Sequence, residues 1–158
     1  MDFDIVSNSA EETIEIGRKI GEQLKGGEVI GIRGALGSGK THLIKGIAAG
    51  AGAEESSRVT SPTFVIVNEY KSRPSEGRDK GRLDVYHIDA YRLDTIADFE
   101  MLGFDDFCYA QSVVVIEWAD KIEEALRGID YIRAELCHAG ETQRTIHIRN
   151  APAYIKNI

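Results

Sequence analysis

Gly34-Ala35-Leu36-Gly37-Ser38-Gly39-Lys40-Thr41 gathers three glycines, a lysine and two hydroxyls into one short stretch. The spacing is G-x-x-x-x-G-K-[ST], that of a phosphate-binding loop. Gly34, Gly37 and Gly39 let the backbone turn tightly, so that successive N–H groups converge on phosphate oxygens. A helix that starts here adds the partial positive charge of its N-terminus. Lys40 brings a full charge to the outer phosphates. The Thr41 hydroxyl is placed for a phosphate-bound Mg²⁺.

Chemistry on such a nucleotide needs an acid at the end of a buried strand, to hold the metal or polarise water. Two residues qualify: Asp89, which ends Leu83–Asp89, and Glu117, which ends Ser112–Glu117. Glu117 follows Val113-Val114-Val115-Ile116, the most apolar run of the chain. Its carboxylate is costly there without a partner, and Mg²⁺ is a natural one. Both acids are expected at one edge of the sheet, near the phosphates.

Other polar residues carry two readings each. The hydroxyls of Thr60-Ser61-Pro62-Thr63 follow the phosphate-loop helix, where nucleotide switches sense a γ-phosphate. A turn rich in hydroxyl residues is the plainer reading. His42 reads as a helix-surface residue, and His87 as packed within the sheet. Trp118 is either core or an aromatic contact for nucleotide or partner. Arg92 either pairs with an acid or reaches toward a partner.

The elements that must position these residues follow from periodicity. Phe3–Val6 reads as a strand, and Ser7-Asn8-Ser9 offers caps for a helix over Ala10–Leu24. Gly26-Gly27 stops that helix. Glu28–Arg33 is the strand entering the loop, and helical spacing continues from His42 to about Gly50. Ala53–Thr63 reads as loop. Phe64–Tyr70 is rich in β-branched and aromatic residues and reads as a strand. Lys71–Arg82 is a polar hairpin connection, and Leu83–Asp89 is the return strand. The two strands are expected antiparallel, so the sheet is mixed. Asp94–Leu102 reads as a helix capped by Asp94, and Asp120–Leu126 as a short amphipathic helix. Tyr131–Cys137 and Thr145–Arg149 form a terminal hairpin. The expected fold is α/β: a single P-loop NTPase-like domain over residues 1–150, with a mixed parallel/antiparallel sheet flanked by helices, and a tail at 151–158.

Composition narrows the partners. The 158 residues suit one domain with a real core. A formal net charge of −7 opposes direct binding to nucleic acid unless a partner supplies the contact. Cys108 and Cys137 form no Cys-x-x-Cys pair and read as reduced, packed thiols. No apolar stretch approaches the length of a membrane span, and no signal-peptide pattern opens the chain. The expected location is the cytoplasm, without membrane association.

The phosphate loop, Ser61-Pro62-Thr63-Phe64, His87-Ile88-Asp89-Ala90-Tyr91-Arg92-Leu93 and Ile116-Glu117-Trp118 occur in an order that resembles the TsaE family. These are bacterial ATPases required for threonylcarbamoyladenosine synthesis on tRNA. The resemblance covers about Asp4 to Arg149. It implies an ATPase that works with the TsaD–TsaB pair, meeting tRNA only through that complex. By position it assigns Thr41 and Glu117 to magnesium and Gly37 through His42 to the phosphate grip. It places Thr63 in a switch loop and makes Asp89 a functional acid. It also implies that Ser9–Thr13 lies near the adenine and that Arg144 approaches the nucleotide. Ala35, Ser38 and His42 depart from common family residues, and none removes a charge that the phosphate site needs. The chain lacks the guanine-selecting Asn-Lys-x-Asp, so ATP is the expected nucleotide.

The expected catalytic set is therefore Lys40, Asp89 and Glu117, with Gly34, Gly37, Ser38, Gly39, Lys40, Thr41, His42 and Thr63 on the nucleotide. The expected activity is slow, partner-controlled hydrolysis of Mg²⁺–ATP. A small-molecule kinase and a non-catalytic nucleotide-sensing adaptor are the alternatives.

Overall fold

The structure is a computed structural model, and it describes residues 1–60, 66–72 and 83–158. Its centre is one eight-stranded sheet. The strands are β1 (Phe3–Ser7), β2 (Val29–Gly34), β3 (Ala53–Thr60), β4 (Ile66–Ser72), β5 (Asp84–Asp89), β6 (Ser112–Glu117), β7 (Ile132–His138) and β8 (Arg144–Arg149). Their order across the sheet is β1-β8-β7-β2-β6-β5-β4-β3. The central strands β7, β2, β6 and β5 run parallel to one another, and the outer pairings β1–β8, β8–β7, β5–β4 and β4–β3 are antiparallel. The sheet is mixed, as the hairpin argument required.

Helices α1 (Ala10–Gly21) and α2 (Lys40–Gly50) cover one face. They bury Ile16, Ile20, Leu43, Ile44 and Ile47 against Ile30, Ile32, Val85 and Val115. Burying a side chain of this size contributes roughly 1.5–3 kcal/mol. The two helices touch backbone to backbone. A methyl group added at Gly46 would stand 2.1 Å from the Ile14 carbonyl oxygen, and one at Gly17 would stand 2.4 Å from that of Leu43. The opposite face is closed by α3 (Ile96–Met101) and short 3₁₀ turns, whose Phe99 and Phe104 share a buried cluster with Ile88, Val114 and Ile116.

Four local expectations change. Ala53–Thr60 is an edge strand rather than loop. Its sequence Ala-Glu-Glu-Ser-Ser-Arg-Val-Thr has no apolar alternation, and an edge strand needs less of it. Helix α3 is capped by Thr95, in a reciprocal pair with Asp98, and not by Asp94. Residues Ala119–Ile122 form a 3₁₀ turn, not the start of an α-helix. Trp118 enters it at φ 60°, and the bonds that follow close over three residues, as in Lys121 N–H to Trp118 O at 3.0 Å. Cys108 and Cys137 are exposed free thiols rather than packed ones.

Residues 151–158 lack regular structure but lie against the body, with Ala151 and Ile155 buried. Tyr154 donates to Glu28 Oε1 at 2.5 Å. No helix among the described residues is long and apolar enough to cross a membrane. The expected hairpin connection, apart from its first residues, and the Ser61-Pro62-Thr63-Phe64 stretch lie outside the described residues.

Candidate nucleotide site

β2 delivers the chain to Gly34, and α2 starts at Lys40. The link between them turns at Gly34 (φ 152°), Gly37 (φ 74°) and Gly39 (φ 100°). A Cβ at Gly34 would lie 2.6 Å from Leu136 O and 2.7 Å from Ser38 Oγ, so no larger residue fits. Gly39 caps α2 without a side-chain bond. The first N–H groups of the helix are thereby left for a ligand, with the dipole behind them. Ser38 is fully buried, and its Oγ has no hydrogen-bond partner among the described residues.

Lys40 is 4% exposed. Its Nζ donates to Gly34 O at 2.8 Å and to Ala35 O at 3.0 Å. Nζ also stands 3.8 Å from the centre of the Trp118 ring, within cation–π range. Burial pushes the ammonium below the usual lysine range, and Glu117, Asp120 and Asp89 pull it back toward the charged form. Asp120 is a neighbour that the sequence did not single out. Thr41 follows at the exposed start of α2, and His42 is half-buried.

The two acids end adjacent parallel strands in register: Asp89 on β5 stands opposite Glu117 on β6. Glu117 is also opposite Ile32 on β2, two residues before Gly34. One edge of the sheet thus carries the phosphate loop and both carboxylates. Asp89 Oδ1 accepts from Tyr91 N–H at 3.0 Å and so caps the 3₁₀ turn Ala90–Arg92. Glu117 is 9% exposed, and its Oε2 lies 2.8 Å from His87 Nε2. Trp118 is half-buried between Lys40 and the Tyr91 ring, whose centre is 5.0 Å away. Arg92 is exposed. Thr63 lies outside the described residues.

A pocket of about 350 Å³ opens on the other flank of the loop. Asn8, Ser9, Thr13, Gly37, His42 and Arg144 contribute to its wall. Arg144 Nη2 donates to Gly37 O at 3.3 Å, and Gln143 Nε2 to Asn8 Oδ1 at 2.9 Å. The first turn of α1 and the start of β8 are therefore tied to the phosphate loop, although they are far from it in sequence.

A metal ion fits this donor set in one way. Among the described residues no group of three or more His, Cys, Asp or Glu side chains could hold an ion alone. The Thr41 hydroxyl and the Glu117 carboxylate are few and hard. That suits Mg²⁺, which takes its other ligands from phosphate and water.

The profile of the TsaE family, "Threonylcarbamoyl adenosine biosynthesis protein TsaE", matches residues 7–146. The TsaE protein of Treponema pallidum (strain Nichols) is 39% identical over 121 residues, 77% of this chain and 82% of that protein. The TsaE protein of Bacillus subtilis (strain 168) is 37% identical over 136 residues, 86% and 78% of the two chains. Both are named as tRNA threonylcarbamoyladenosine biosynthesis proteins. The crystal structure of Bacillus subtilis YdiB superposes with a TM-score of 0.68 at 30% identity, covering 94% of this chain and 84% of that one.

Proposed function

This chain belongs to the TsaE family, and from that premise we propose that it is a P-loop ATPase serving threonylcarbamoyladenosine modification of tRNA. It binds Mg²⁺–ATP at residues 34–42, hydrolyses it slowly alone, and acts with the TsaD–TsaB pair in the cytoplasm. The observation that carries this reading is the shared edge: Lys40 at the start of α2, with Asp89 and Glu117 in register beside it.

The residues divide the work. The loop N–H groups and the start of α2 receive the phosphates. Lys40 exchanges its bonds to Gly34 O and Ala35 O for phosphate oxygens and holds their charge. Thr41 and Glu117 would hold the metal, which would supply neutralisation of the phosphate charge. Asp89 orients water near that edge. Ser9, Thr13 and Arg144 take the base side, in the pocket beside Gly37. tRNA is met through the partner proteins, in keeping with the net charge of −7.

The test is ATP hydrolysis by the purified chain, alone and with TsaD–TsaB and tRNA. Strong stimulation by the pair, lost in Lys40→Ala, is expected. Binding of ATP and of the pair with no turnover in the full assembly would replace the enzyme with a nucleotide-sensing adaptor.

A further inference from the structure

Behind the nucleotide edge lies a row of polar side chains that the proposed function does not use. Asn68 of β4 stands directly opposite His87 of β5. His87 precedes Asp89 by two residues, and Asp89 stands opposite Glu117. Asn68, His87 and Glu117 therefore share the sheet face of Val85 and Val115, which packs under α1 and α2. Asn68 Nδ2 donates to His87 Nδ1 at 3.1 Å. An accepting Nδ1 leaves the ring proton on Nε2. Nε2 then donates to Glu117 Oε2 at 2.8 Å. His87 is 6% exposed.

An unpaired atom marks the direction of this chain. Asn68 Oδ1 is buried and has no partner among the described residues. Turning the amide over would bring Oδ1 against Nδ1 and require the ring proton there. In a neutral ring of that tautomer Nε2 would face the carboxylate lone pair to lone pair, whereas a doubly protonated ring would donate to Oδ1 and to Glu117 alike; in either arrangement that bonds Glu117, the donor is Nε2–H. The observed orientation tolerates one orphaned oxygen and keeps a donor aimed at Glu117. Glu117 Oε1 makes no hydrogen bond among the described residues.

We infer that His87 is a positioning residue for Glu117. Its Nε2–H ties down one carboxylate oxygen, Asn68 fixes the tautomer that makes this possible, and the other oxygen is left for the metal of a Mg²⁺–nucleotide complex. The inference rests on the reading of Glu117 as the metal acid. A residue that only fills space would need volume at position 87. A positioning residue needs an N–H at the place of Nε2, which glutamine retains and phenylalanine does not.

The experiment uses the full chain and a fluorescent, non-hydrolysable ATP analogue. The readouts are the Mg²⁺ concentration that half-saturates the metal-dependent gain in analogue affinity, the affinity in EDTA, and the melting curve. His87→Phe is expected to raise the Mg²⁺ requirement about tenfold or more, the usual cost of removing an outer partner of a metal ligand. Its affinity in EDTA stays at the wild-type level. His87→Gln recovers most of the loss. Asn68→Ala shows a smaller increase of the same sign. A folded His87→Phe with the wild-type Mg²⁺ requirement would overturn the inference, as would a His87→Gln as defective as the phenylalanine variant. Should His87→Phe not melt cooperatively, Asn68→Ala decides, and an unchanged Mg²⁺ requirement overturns the inference. A wild-type chain that binds the analogue without regard to Mg²⁺ would remove the metal reading of Glu117 and this inference with it. Wild-type Mg²⁺ dependence with unresponsive variants would remove the inference alone.

Discussion

Lys40 Nζ stands over the face of Trp118, 3.8 Å from the ring centre, while bonded to the carbonyls of Gly34 and Ala35. The loop lysine is thus held by its own loop and by the residue that follows Glu117. A phosphate that draws it away must change the surroundings of the indole. Trp118 is the one tryptophan of the chain, so ATP addition is expected to change its fluorescence. Lys40→Ala should abolish that change and weaken ATP binding about 10- to 100-fold, the worth of a charge-assisted hydrogen bond. A wild-type affinity in that variant would remove Lys40 from the site.

The same lysine sets a pH dependence. Its folded-state pKa lies below the unfolded value of 10.5 because burial disfavours the charge. In the window between the two values the unfolded chain binds more protons, so the folded state gains stability as pH rises through it. Below that window the ammonium is charged in both states and its desolvation cost is present in full. Lys40→Met should therefore be more stable than wild type at neutral pH. The gap should narrow as pH approaches 10.5, which paired melting curves across that range will read.

Glu117→Gln should bind ATP but lose Mg²⁺-dependent hydrolysis by about 100-fold or more, as expected for a lost catalytic carboxylate. Asp89→Asn keeps an oxygen for the Tyr91 N–H and should fold normally. Steady-state turnover of both variants separates their roles. Full activity in Glu117→Gln would move the metal to Asp89.

Two packing predictions concern stability. Gly46→Ala would place its methyl group 2.1 Å from Ile14 O and should cost about 1–3 kcal/mol, the range for overpacked cores. Ile155, only 1% exposed near the end of the chain, should cost about 2–5 kcal/mol on replacement by alanine. Denaturant melts of the two variants check both. A neutral Ile155→Ala would show that the last residues add nothing to the fold.

The site was legible in the sequence where one contiguous stretch determines it. The loop spacing of residues 34–41 and the apolar run before Glu117 each fix a strand end or a helix start locally. Alternation over Leu83–Asp89 also placed Asp89 at a strand end. The mutual register of Asp89 and Glu117 was expected only in outline, because it depends on two strands separated by the whole α3 region. The Asn68–His87–Glu117 row was not legible, since it draws one residue from each of three strands. Asp120 beside Lys40 was hidden by the 3₁₀ turn that follows a left-handed Trp118. The buried end of the chain was missed because Ala151-Pro152-Ala153-Tyr154 has no periodicity to read.

The glycine contact between α1 and α2 has a mechanical consequence. With Gly17 and Gly46 lying against the opposing backbone, the helices have no side-chain cushion to absorb a displacement. One helix begins in the phosphate loop, and the other begins at the wall of the adjoining pocket. A displacement of either start would press on the other helix's backbone, so the two flanks of the candidate site are expected to move as one part.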